Sequence, residues 1–124
     1  GGDEEIGPRK AEVFLQSVDV EKTVIDQVLL IIRYVSFKNR NELPESVSIE
    51  LQIVQDADRL DAMGAMGIAR AFSYGGFKGR AMYDPNINPK PNQSKAEYKA
   101  AKAPTINHFY EKLLLLKDMM NTSS

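Results

Sequence analysis

Three aspartates, Asp56, Asp58 and Asp61, open the segment QDADRLDAMGAMGIARAF (55–72), whose second half is almost wholly apolar. A carboxylate on a helix built for burial is costly unless a cation, a set of caps or a metal ion compensates it. Turning about 100° per residue from Ile53, the residues Ala57, Leu60, Gly64, Gly67, Ile68 and Ala71 gather in one direction. Asp61 falls inside that stripe, Asp56 and Asp58 flank it on opposite sides, and Arg59 and Arg70 point away. An exposed ion pair is therefore the less favoured expectation for Asp61, whereas Asp56 suits a structural pair. Asp58 and Asp61 are one turn apart and can face one ion or one substrate. Two carboxylates do not complete a metal site, which takes further ligands. The single histidine, His108 in TINHFYEKL, reads as a hydrogen-bonded structural residue.

The elements that must position these residues are helical. GPRKAEVFLQS places Pro8 in a first turn and Ala11, Phe14 and Leu15 on one face. VEKTVIDQVLLIIRYVSF repeats its apolar residues at intervals of three and four, and KNRNELPES is a loop. A long helix is expected from Ser46 or Ser48, either of which would cap it, to about Tyr74. Gly75 or Gly76 would end it in the left-handed conformation. Residues 75–104 are dense in Gly, Pro and Asn and read as an irregular excursion with one helical turn at SKAEYKAA. A last helix, TINHFYEKLLLLKDMM, follows Pro104, with its leucines and methionines as a packing face. The whole is a single all-α domain with few helices for the burial its longest helix requires.

Composition narrows the function. With 124 residues, 43% hydrophobic and 27% charged, the chain is globular. A net charge of -1 gives no reason to expect nucleic acid. Charge is nevertheless segregated: residues 1–74 carry eight basic and thirteen acidic groups, whereas residues 75–104 carry six basic and two acidic. There is no cysteine, which fits a reducing, cytoplasmic setting. No apolar run approaches the ~20 residues of a membrane span, and GGDEEIGPRK lacks signal-peptide character. GGFKGR lacks the spacing of a P-loop.

The string IVQDADRLDAMGAMGIARAFSYGG resembles the HD-domain phosphohydrolases, and GDEEIGPRKAEVFL, IIRYVSFKN, YDPNINPKPNQ and INHFYEKLLLLKDMMNT support the likeness over nearly the whole chain. That resemblance implies an HD-type helical bundle. It also implies a divalent metal ion held by four side chains in the order His, His-Asp, Asp. Asp58, in the second half of the DAD triplet, matches the last ligand. Asp61 matches a catalytic carboxylate that supports the metal or faces the substrate. The other ligands would precede the segment with which this sequence opens, so the chain is expected to be the C-terminal part of such a domain, without the N-terminal helices and inactive alone. The expected substrate is a nucleotide or another small phosphate ester. Residues 77–90, with Gly hinges and Lys78 and Arg80 as substrate-binding cations, are the expected cover; Phe77 and Tyr83 would stack on a base or pack the loop down. The competing expectation is a non-catalytic helical interaction module or a degenerate relic of an HD domain.

Overall fold

The structure, a computed structural model, describes residues 4–39, 42–91, 93–94, 96–97 and 102–122. Among them every regular element is helical: α1 (Ile6–Ser17), α2 (Lys22–Tyr34), α3 (Ile49–Asp61), α4 (Gly64–Phe77) and α5 (Asn107–Glu111), with 3-10 turns at Phe37–Asn39 and Leu113–Met119. The chain divides into two compact units, Gly1–Gln55 and Asp56–Ser124.

In the first unit α1 packs on α2. Pro8 stands in the first turn of α1, where its missing N–H has no carbonyl to serve. The helix ends with the Val20 and Asp19 amides donating back to the Leu15 and Gln16 carbonyls, 3.1 and 3.2 Å, and Asp19 itself lies at φ 55°. This is a Schellman turn with aspartate in the place glycine usually takes. Lys22 and Asp26 pair one turn apart on the surface of α2, 2.8 Å, while Ile25 is buried beneath. Phe37 is buried just beyond α2. The Gln55 side-chain amide donates to the Tyr34 carbonyl, 3.0 Å, which satisfies one of the open acceptors at the end of that helix.

Ser48 begins α3 as expected, its hydroxyl accepting the Leu51 amide at 3.3 Å. The single long helix expected as far as Tyr74 is two helices. α3 stops at Asp61, Met63 is extended, and Gly64 at φ 68° restarts the chain as α4. Periodicity carried the expectation across this junction because the apolar pattern continues on both sides. Only glycine takes that left-handed turn without a steric penalty.

The end of α4 also differs. The helix passes through Gly75 and Gly76 to Phe77, and Gly79 at φ 63° supplies the left-handed residue. Gly79 N–H bonds the Gly76 carbonyl and Arg80 N–H the Gly75 carbonyl, 3.0 and 2.9 Å, a second Schellman turn. Beyond it the irregular segment is tied to α5. Thr105 and Ile106 amides donate to the Ala81 and Met82 carbonyls, and the buried Asn107 side chain donates to the Ile87 carbonyl at 2.9 Å. Of the helical turn expected over 94–101, Ala96 and Glu97 are helical, and the other residues past Ser94 lie outside those described. Ser94 and Glu97 cap one another, the Ser94 hydroxyl donating to the carboxylate at 2.6 Å.

The expected last helix is interrupted. α5 ends at Glu111, Lys112 leaves helical geometry at φ -141°, and a 3-10 segment follows. Of its leucines, Leu116 is buried and Leu114 is exposed. A 3-10 helix rises about 2.0 Å per residue against 1.5 Å for an α-helix, so seven residues reach about 3.5 Å further.

Candidate active site

The two faces of α3 are used in opposite senses to the wheel expectation. Leu51, Gln55, Asp56 and Arg59 are buried, and Ile53, Ala57, Leu60 and the start of the apolar stripe are exposed. A helical wheel orients a helix by apolarity alone. Here the buried face is fixed by polar bonds from a segment distant in sequence. Asp56 accepts the Asn121 amide (2.9 and 3.0 Å to its two oxygens), the Asn121 side-chain amide (3.1 Å), and the Thr122 amide and hydroxyl (both 2.8 Å). Arg59, expected to point away, pairs with Asp56 at 2.9 Å and also donates to the Met119 carbonyl. Burial pushes the Asp56 carboxyl up, but the bonds from Asn121 and Thr122 and the Arg59 charge outweigh it and leave the group below its ordinary range.

Asp58 and Asp61 lie on the other side, at a cavity of about 450 Å³ within the second unit. α4 contributes Arg70 and Tyr74, the Schellman turn contributes Arg80, and α5 with its following residue contributes His108, Glu111 and Lys112. Each cation is placed by a local cause. Arg80 is the residue whose amide closes the turn after Gly79, and its guanidinium stands 5.8 Å from the centre of the Tyr74 ring. Lys112 is the residue at which α5 breaks. Arg70, expected to point away, forms a two-pronged ion pair with Asp61, 2.5 and 3.2 Å, with both side chains largely exposed. The guanidinium holds the Asp61 carboxyl below its ordinary value. Lys112 is held below the usual lysine range by burial, against the opposing pull of Asp58. Burial, aided by Lys112 and Arg80, lowers His108, so the imidazole is neutral at pH 7.

The cavity thus brings together Asp58, Asp61 and Arg80 among the residues singled out from the sequence. Lys78 is not among its lining residues; its ammonium lies 5.6 and 5.3 Å from the Tyr74 and Phe77 ring centres. From the expected cover, Arg80 reaches the cavity, whereas Phe77 and Tyr83 are exposed. Sequence reasoning missed Arg70 and Lys112 and gave His108 a structural role. The break at residue 112 had no turn residue to announce it.

These residues do not by themselves make a metal site. Among the described residues no three potential ligands of the His, Cys, Asp and Glu type converge to hold an ion, and both Asp61 oxygens are engaged by Arg70. What the cavity offers is a mixed lining, with the carboxylates Asp58, Asp61 and Glu111 beside the cationic side chains Arg70, Arg80 and Lys112. No helix among the described residues is long and apolar enough to cross a membrane.

An all-helical fold with a mixed acidic and basic cavity is the class that these observations define. No family model matches the chain. It is 45% identical over 117 residues to the Bacillus subtilis protein YpgQ, covering 92% of this chain and 49% of YpgQ. A solved structure from Lactobacillus plantarum superposes with a TM-score of 0.84 at 42% identity, over 93% of this chain and 54% of that one. An HD-superfamily hydrolase from Bacillus thuringiensis gives 0.63 at 47% identity, over 98% and 52%. YpgQ solved in complex with ADP gives 0.64 at 36% identity, over 94% and 48%. The chain spans about half the length of the relatives that it matches. An HD-like helical fold is supported by these likenesses.

Proposed function

We propose that this chain forms part of an HD-type, metal-dependent phosphohydrolase, and that its substrate is a nucleotide or another small phosphate ester. One observation carries the reading: Asp58, the residue that matches the family's last metal ligand, opens on the same cavity as Arg70, Arg80, Lys112 and a neutral His108. The likeness to an HD-superfamily hydrolase supports the reaction class, and the ADP complex of YpgQ supports the ligand class.

Each side chain takes a role that its surroundings favour. Asp58 would supply one donor to a divalent ion, which would act as a Lewis acid on the phosphate. Arg80 and Lys112 accept the negative charge of the phosphate, and the low dielectric around Lys112 strengthens that attraction. Arg70 keeps Asp61 acidic and holds both of its oxygens at the edge of the cavity. Lys78 lies against the Tyr74 and Phe77 rings and not among the residues that line the cavity.

The test is metal content. The protein expressed from its own gene, dialysed against Mn²⁺, is expected to retain metal and cleave phosphate esters, and Asp58→Ala is expected to lose the ion. The 124-residue chain alone is expected to bind ADP weakly and to turn nothing over. Unchanged metal in Asp58→Ala, or robust turnover by the 124-residue chain, overturns the assignment.

A further inference from the structure

The bonds on Asp56 do more than bury a carboxylate. They join two walls of the cavity. One wall is the end of α3, which carries Asp58 two residues beyond Asp56 and Asp61 two residues beyond Arg59. The other wall is α5 and the residues just after it, His108, Glu111, Lys112 and Leu113. That second wall runs through the 3-10 segment directly into Met119, Asn121 and Thr122. Those three residues are the ones that bond Asp56 and Arg59.

The connection is short and stiff on both sides. The Asp56 carboxylate is 4% exposed and receives four backbone and side-chain donors from two consecutive residues, besides Arg59. Such a set fixes position and rotation together, since amide and side-chain donors approach from different directions. Leu116, 1% exposed, anchors the middle of the intervening segment. Lys90 N–H donates to the Glu111 carboxylate at 3.0 Å, which holds the same wall from its far end. Nothing in that geometry needs Asp56 to touch a ligand.

We propose that Asp56 is a positioning residue, and that the segment 119–122 clasped on it sets the separation of Asp58 from His108 and Lys112. The clasp is a statement about this cavity's geometry; its effect on phosphate binding rests on the function proposed above.

The experiment uses the lone histidine. His108 is the only imidazole in the chain, so its ring protons give one reporter signal in proton NMR. Asp56→Ala is a poor probe because the buried Arg59 charge would be stranded. The pair Asn121→Ala with Thr122→Val removes side-chain donors from the other partner and leaves α3 intact. With helicity by circular dichroism unchanged, this double variant is expected to titrate His108 at a higher pH than the parent, since the imidazole gains solvent. Its affinity for ADP, measured by calorimetry, is expected to fall about tenfold. Thr122→Ser alone, which keeps the hydroxyl and the Asn121 side chain, is expected to leave both at the parent values. A folded double variant with a lower melting temperature but an unmoved His108 titration overturns the clasp as a positioning device. Failure of the protein expressed from its own gene to bind ADP, with the His108 shift present, strikes the proposed function and leaves the clasp standing.

Discussion

Two aspartate–arginine pairs sit less than one helix length apart and behave as opposites. Asp56–Arg59, at 2.9 Å, has side chains 6% and 10% exposed; Asp61–Arg70, at 2.5 Å, has side chains 67% and 58% exposed. The shorter pair is the weaker element of structure. Water screens the Asp61 pair, and each of its partners would be solvated alone. Burial makes the Asp56 pair obligatory, because removing either partner strands the other beside backbone and amide groups arranged for a charge. Distance therefore ranks these pairs in the wrong order, and the number of donors fixed around the carboxylate ranks them correctly.

The largest effect expected from this contrast is on Asp56. Asp56→Ala should cost about 3–5 kcal/mol of folding stability, the range for breaking one side of a buried pair. Asp58→Ala, on the open face, should leave the urea midpoint nearly where it was. Equal losses in chemical denaturation would erase the distinction between the two faces of α3.

That distinction was only half legible in the residues. DAD followed by an apolar run announced that some carboxylates had special duties, and the family resemblance singled out Asp58. The all-helical class was likewise readable from intervals of three and four, and the serine cap was narrowed to Ser46 or Ser48 by the acid that follows. Which face is inside was not readable, because the donors that bury Asp56 come from Asn121 and Thr122, more than sixty residues away. Arg70 was lost for a related reason. The helix is broken at Gly64, so a single wheel drawn through both helices does not carry over to Arg70. Lys112 depended on a helix break that no turn residue announces.

A middling effect is expected at Gly79. It takes φ 63° and closes the turn that delivers Arg80. Gly79→Ala should cost about 1–2 kcal/mol, the penalty for a side chain in the left-handed region. The open face should register it as well: ADP affinity should fall along with the melting temperature, whereas Asp56→Asn, if folded, should change stability far more than Gly79→Ala does. A Gly79→Ala protein with reduced stability and full ADP affinity would separate Arg80 from the cavity.

Acid should distinguish the faces without mutation. His108 is held below its ordinary pKa, so the unfolded chain binds a proton that the folded one resists. Stability contributed by the neutral imidazole is present above the unfolded value near 6.5 and is lost as pH falls from there through the lower folded value. Melting temperatures measured between pH 7.5 and 5 should decline, and His108→Gln should flatten that decline. An identical slope in His108→Gln would place the acid sensitivity elsewhere.

The smallest structural effect belongs to the pair with the shortest distance. Arg70→Gln releases Asp61 from a guanidinium that water largely screens, so the melting temperature should stay within error of the parent. Its consequence should be electrostatic and local. Asp61 would lose the partner that keeps its carboxyl acidic and its two oxygens occupied, and those oxygens would then face the cavity beside Asp58. Phosphate groups would meet two carboxylates with one cation fewer, so ADP affinity should weaken, and more so at low ionic strength, where the repulsion is least screened. Divalent cations should move the other way, since two neighbouring carboxylates without their arginine attract them more strongly. Calorimetric titrations of ADP and of Mn²⁺ into Arg70→Gln should therefore shift in opposite directions. A variant in which both titrations stay put would reduce the Asp61–Arg70 pair to surface decoration and leave Asp58 the sole acidic contributor on that face.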